Sequence, residues 1–82
     1  ENIFYIYLRC LYFTNQYDNL LKTVSKYNKY ILNDASMEVQ IQIYLVIGRV
    51  YYIRGDLETA LILYLLSYYN SIKLIINYEV YS

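Results

Sequence analysis

The sequence predicts an all-α fold of two antiparallel helical hairpins, four helices in all, and three observations lead to it. Proline is absent from the 82 residues and glycine occurs only twice, at Gly48 and Gly55, so little interrupts a helix except local turn chemistry. Apolar residues recur at three- and four-residue steps, as in Leu20, Leu21, Val24, Tyr27 and Ile31 and again in Leu57, Ala60, Leu61, Tyr64 and Tyr68, which is the period of one helix face. Shifting the chain by 40 residues lays Phe4 on Tyr44, Arg9 on Arg49, Tyr12 on Tyr52 and Asn15-Gln16-Tyr17-Asp18 on Gly55-Asp56-Leu57-Glu58. Each half therefore reads as one helix–turn–helix unit.

Taken in order, the first helix is expected over residues 3–14. It ends at Thr14-Asn15-Gln16, where asparagine tolerates the left-handed geometry of a helix C-cap. The second is expected over 17–32, closing at the polar cluster Asn33-Asp34-Ala35-Ser36, in which Asp34 or Ser36 caps the next helix. The third spans 37–54. Within it, Val39 to Ile43 alternates apolar and polar residues and is the chain's best strand candidate, but the surrounding period is helical. Gly55-Asp56 is the sharpest break: glycine takes the positive φ that ends one helix, and aspartate accepts from the free amides that begin the next. The fourth helix is expected over 57–78, with Glu58 in its first turn complementing the helix dipole. Intrapair turns of two or three residues force neighbouring helices to pack antiparallel.

Composition limits what such a chain can do. A single domain of this size buries only roughly 60% of the surface its unfolded form exposes, yet 59% of the residues are apolar and 14 are tyrosine. Some of that surface is expected to face a neighbour, a setting that suits the apolar ring and wettable hydroxyl of tyrosine. Seven basic and seven acidic residues cancel, without the basic excess of a nucleic-acid binder. Histidine is absent, removing the commonest general base and metal ligand. Cys10, the single cysteine, has no histidine partner for nucleophilic catalysis and reads as a small hydrophobe on a helix. Asp34 and Glu38 could share a helix face but are better read as acids gathered near a helix N-terminus. The expectation is no enzyme, no cofactor and no metal. Lys22, Lys26 and Lys29 form a basic stripe on the second helix, read as a solvated face, with Asp18 one turn before Lys22 as a favourable pair.

Membrane and targeting signals are weak. The longest uncharged run, Thr59 to Ile72, has 14 residues and falls short of the roughly 18 that a spanning helix needs. Joining it to Leu74–Tyr78 across Lys73 reaches membrane length. With Arg9 interrupting the first apolar stretch, no secretory leader is visible, and a cytoplasmic setting is the expectation. Glu1 in place of an initiator methionine, and the need of stacked repeats for about three units, point to a segment of a longer array.

The second half carries a further pattern: Tyr44, Ile47-Gly48, Tyr51, Gly55-Asp56, Ala60, Tyr64 and Ser67. In this it resembles a tetratricopeptide repeat, whose small positions let two helices approach closely while large residues fill the adjacent grooves. Gly48, Ala60 and Ser67 hold those small positions here. The equivalents in the first half are Leu8, Leu20 and Tyr27, all bulky, so that hairpin is expected to be more splayed. The 40-residue spacing exceeds the family's roughly 34, and Ile72 stands where the family has its closing proline. Longer helices of this kind are similar to the helical arrays of PCI-type subunits in the proteasome lid and signalosome, and to the helical-repeat domains of peptide-sensing bacterial regulators. The resemblance implies one unit pair over 1–82, with hairpins at about 3–33 and 37–78.

In tetratricopeptide arrays the first helix of each unit lines a concave binding surface. Carried over position by position, the resemblance implies a protein- or peptide-binding set of Tyr5, Arg9, Tyr12 and Phe13 in the first unit and Leu45, Arg49, Tyr52 and Ile53 in the second. Paired arginines among tyrosines would suit a partner with an acidic group; the alternative is that they only snorkel from packed helices. The lysine and asparagine arrangement of chaperone-tail-binding members is absent. The implied function is a non-catalytic protein–protein interaction scaffold within a multisubunit assembly, flanked by neighbouring repeats or copies. A peptide-sensing regulatory or adaptor domain is the alternative, and a membrane-associated helical segment the second.

Overall fold

Four α-helices and one π-helical segment succeed one another in the computed structural model, which describes residues 2–81 and side chains through Glu79. They are α1 (Ile3–Phe13), α2 (Tyr17–Lys26), the π segment (Tyr30–Asp34), α3 (Met37–Ile53) and α4 (Leu57–Tyr81). The protein is all-α; no strand forms among the described residues, and the alternating stretch Val39 to Ile43 lies inside α3.

Both hairpin turns are built the same way. At the first, Asn15 takes φ +61°, its amide donates to the Tyr12 carbonyl and that of Gln16 to Leu11. At the second, Gly55 takes φ +86°, donating to Tyr52, and Asp56 donates to Tyr51. Each is a left-handed C-cap whose last carbonyls are closed by paired bonds. All of these positions differ by 40, so the internal repeat extends to the backbone. The starts of α1, α3 and α4 are capped by side chains: Asn2 accepts from Tyr5 N at 2.9 Å, Ser36 from Val39 N, and Asp56 from Thr59 N and its hydroxyl; Gln16 makes no such bond at the start of α2.

The expectation of one continuous second helix over 17–32, and with it the four-helix count, is corrected. α2 stops at Lys26; Tyr27 leaves helical geometry at φ −103°, ψ 24°, and the chain resumes as a wide turn in which Ala35 N reaches back five residues to the Tyr30 carbonyl. Tyr27, Asn28 and Tyr30 are weaker helix formers than the lysines among them, and the rings of Tyr27 and Tyr30 both meet Phe4 edge-on, at 5.3 and 5.6 Å between centroids. A wide turn frees carbonyls. Gln40 on α3 takes them, its amide donating to Ile31 O at 2.8 Å and Leu32 O at 3.3 Å. α4 also runs past the expected end at 78, to Tyr81.

The core lies between α1, α2 and α3. Leu8, Leu11, Leu20, Ile31, Ile43, Val46, Ile47 and Val50 form one buried cluster, with Leu8, Leu20, Ile43 and Val50 sealed from solvent. Within each hairpin the helices run antiparallel: Phe4 meets Tyr27 and Tyr12 meets Tyr17, while Glu38 meets Tyr78 and Ile41 meets Ser67. α1 and α3 run in the same direction. The far end of α3 touches the start of α2 through Arg54 and Asp18, and its near end touches the chain after α2 through Gln40.

α4 lies on α3 by its small side. Ala60 and Ser67 are buried, Leu63, Tyr64, Asn70, Ser71 and Leu74 are half-buried on the same face, and Ser67 donates to the Ile41 carbonyl at 3.1 Å. A Cβ placed on Gly48 would stand 2.7 Å from the Tyr64 ring. What presses on this glycine is therefore an aromatic side chain, where close packing of two backbones was expected.

Candidate interaction surface

Each of the eight expected positions lies on α1 or α3, but their surroundings differ. On α1, Arg9 and Phe13 are exposed while Tyr5 and Tyr12 are half-buried and pack their rings against the core. The Arg9 guanidinium sits 5.7 Å from the Tyr5 ring centroid and 5.8 Å from that of Phe13, one turn away on either side. Rings at i−4 and i+4 draw a delocalised cation to the helix surface by cation–π attraction. Tyr12 meets Phe13 edge-on at 5.3 Å.

On α3, Arg49, Tyr52 and Ile53 are exposed and Leu45 is half-buried, which makes them the strip that neither the core nor α4 covers. Leu45 and Ile53 replace the two rings that flank Arg9, so Arg49 has no aromatic cradle. Among the described residues, no hydrogen bond, ion pair or ring contact joins the α1 set to the α3 set. The surface is two adjacent strips, one ordered by rings and one open.

The arginine that meets a carboxylate is Arg54, a residue outside the expected set. Its ion pair with Asp18 ties the end of α3 to the first turn of α2. The Arg54 hydrogen bond and positive charge hold the Asp18 carboxyl below its ordinary range. Lys22, the pair expected from spacing alone, adds the smallest contribution. The parallel course of α1 and α3 explains the pairing, since it sets the last turn of one hairpin's first helix beside the first turn of the other hairpin's second. A like bond closes the opposite end of the molecule. The Tyr78 hydroxyl donates to Glu38 at 3.0 Å; Glu38's own backbone amide and then that hydroxyl lower the carboxyl's pKa, and the carboxylate raises that of Tyr78.

Sequence reasoning missed the largest apolar surface. Leu57, Leu61, Ile62, Leu65, Leu66, Tyr68, Tyr69, Ile72, Ile75 and Ile76 on α4 are all exposed, and Ile62, Leu65, Leu66 and Tyr69 line an open apolar groove of about 410 Å³. A signal was there to be read. If Ala60 and Ser67 face α3, the large residues a half-turn away must face outward. Over Leu57–Glu79 this helix is also long and apolar enough to cross a membrane by length and composition. Cys10, expected as a small hydrophobe on a helix, lies on α1 with its side chain exposed. No protein-family model, curated protein or solved structure matches the chain.

Proposed function

We propose that the chain is a tetratricopeptide-like helical-repeat segment acting as a non-catalytic protein-interaction scaffold within a multisubunit assembly. The observation that carries this reading is the side-by-side, same-direction course of α1 and α3, with Arg9, Phe13, Arg49, Tyr52 and Ile53 exposed along them. Repeated first helices in that arrangement build an extended surface from short units, each adding one strip. Arg9, exposed between the rings of Tyr5 and Phe13, is placed to meet a carboxylate. The absence of histidine from the sequence argues in the same direction, away from acid–base chemistry.

The test uses labelled peptides that end in two acidic residues and a free carboxylate, with binding followed by fluorescence anisotropy. The Arg9→Ala, Arg49→Ala double variant is expected to lose about tenfold or more in affinity at unchanged helicity. Equal affinity of the folded double variant would reject this surface as the binding site. A membrane-associated segment is the second reading, favoured by the length and hydropathy of α4. It requires the chain to float with phosphatidylcholine–phosphatidylserine vesicles and to stay bound in high salt, where attraction of the lysine stripe to headgroups is screened.

A further inference from the structure

We infer that the outer face of α4 is a self-association surface on which a second copy of this chain docks antiparallel, with a two-fold axis passing between Leu65 and Leu66. The spacing and the charges of that face point to it. Ile62, Leu65 and Tyr69 succeed one another at steps of three and four, the spacing along which two helices interlock, with Leu66 beside them. They are exposed on the side of α4 turned away from α3, and the groove beside Leu66 forms their middle. Ile62, Leu65, Leu66 and Tyr69 are 44% to 55% exposed, more apolar surface in one place than single scattered residues leave on a monomer.

The rim selects the partner. Glu58 and Lys73 lie on this same face and are exposed. Each stands 7.5 residues from the midpoint between Leu65 and Leu66, about 11 Å along the axis at 1.5 Å per residue. Turning a second α4 about that midpoint sets Leu65 against Leu66 of the other copy and Ile62 against its Tyr69. It also brings Glu58 beside Lys73 of the other copy at both ends of the contact. A two-fold interface must be complementary to itself, and between Glu58 and Lys73 this face is so in apolar spacing and in charge. A parallel pairing would set Glu58 against Glu58 and Lys73 against Lys73. Lys73 rests 5.0 Å from its own Tyr69 ring, from which the ammonium can reach across the seam. The inference stands apart from the α1 and α3 surface, and either can fail alone.

Sedimentation velocity on the whole chain tests it, with reductant present to keep the exposed Cys10 from bridging copies. The wild type is expected to run as a concentration-dependent dimer. Leu65→Lys, at an exposed position that leaves the fold intact by circular dichroism, should raise the dissociation constant by about a hundredfold or more, since it buries a charge at the centre of the contact. Glu58→Lys alone and Lys73→Glu alone should each raise it about tenfold, by turning two attractions into repulsions. The double Glu58→Lys, Lys73→Glu variant should recover most of that loss. A monomer at every concentration, recovery only in detergent, or self-association indifferent to the charge exchange would overturn the inference.

Discussion

The two hairpins solve one packing problem by opposite means. In the first, Leu8, Leu11 and Leu20 fill the space between α1 and α2, and the rings of Phe4, Tyr27 and Tyr30 close the open end. In the second, Ala60 and Ser67 turn the small side of α4 to α3, and the space at Gly48 is taken by the Tyr64 ring. The turns are superimposable in their hydrogen bonds; the helix faces are not. Cap chemistry thus preserves the repeat while the volume of a few side chains sets how closely its helices approach. The cost falls in different places. In the bulky hairpin α2 breaks at Tyr27, ahead of the π segment, and the lean one turns most of α4's large side chains outward.

This contrast has a sharp consequence for mutation, since the first hairpin should fail by subtraction. Leu20 is sealed from solvent in the middle of the cluster. Leu20→Ala is expected to cost about 2–5 kcal/mol, from lost burial plus the cavity left behind, measured by urea unfolding followed at 222 nm. For a chain whose total stability is of the same order, that approaches complete unfolding. A loss well under 1 kcal/mol would mean that the cluster around Leu20 does not hold the hairpin.

The second hairpin should fail by addition, at one named contact. Gly48→Ala gains about 1 kcal/mol of helix propensity but drives its methyl into Tyr64, whose ring atoms stand 2.7 and 2.9 Å from that position. Overpacking of this kind costs about 1–3 kcal/mol, so the single variant should be less stable than the wild type by about 1 kcal/mol. In a Tyr64→Ala background the obstruction is gone, and the same substitution should become stabilising by about the propensity term. The sign change across the double-mutant cycle is the diagnostic. If Gly48→Ala has the same effect in both backgrounds, Tyr64 is not what requires glycine at this position.

Local chemistry explains why so much of the fold could be read from the chain. Asn15, Gly55, Ser36 and Asp56 act through their own backbones or through amides three residues on, so their neighbours in sequence are their neighbours in space. The break at Tyr27 could not be read that way. The rings of Tyr27 and Tyr30 there meet Phe4, which lies 23 positions before Tyr27, and periodicity carries no trace of such a partner. The Asp18–Arg54 pair was hidden for the same reason: Lys22 is nearer in sequence, but the course of α3 beside α1 brings Arg54 nearer in space. The candidate surface was legible as positions and opaque as environments. Arg9 and Arg49 occupy matching places in the repeat, yet the exchange of Tyr5 and Phe13 for Leu45 and Ile53 gives only one of them a cradle of rings.

The smallest expected effect separates the contact between the hairpins from the contact within one. Asp18 and Glu38 both have folded pKa values below their ordinary ones. Each therefore contributes stability that is present above its ordinary value, 3.8 for Asp18 and 4.5 for Glu38, and is lost as pH falls through the lowered folded value. Tyr78 is raised, so its share is intact below its ordinary value of 10.0 and is lost as pH rises past the folded one. Urea midpoints should be level from pH 5 to 8 and should decline below about pH 4.5 and in strong alkali. All three groups are open to solvent, so the slopes should be shallow and should flatten further in salt. Asp18→Asn removes the acid response that couples α2 to α3, Glu38→Gln removes that of the first turn of α3 together with its bond to α4, and only the second should also blunt the alkaline decline. An acid slope left whole in both variants would place its origin in other carboxylates, and the two end contacts would then have no measurable part in holding the hairpins.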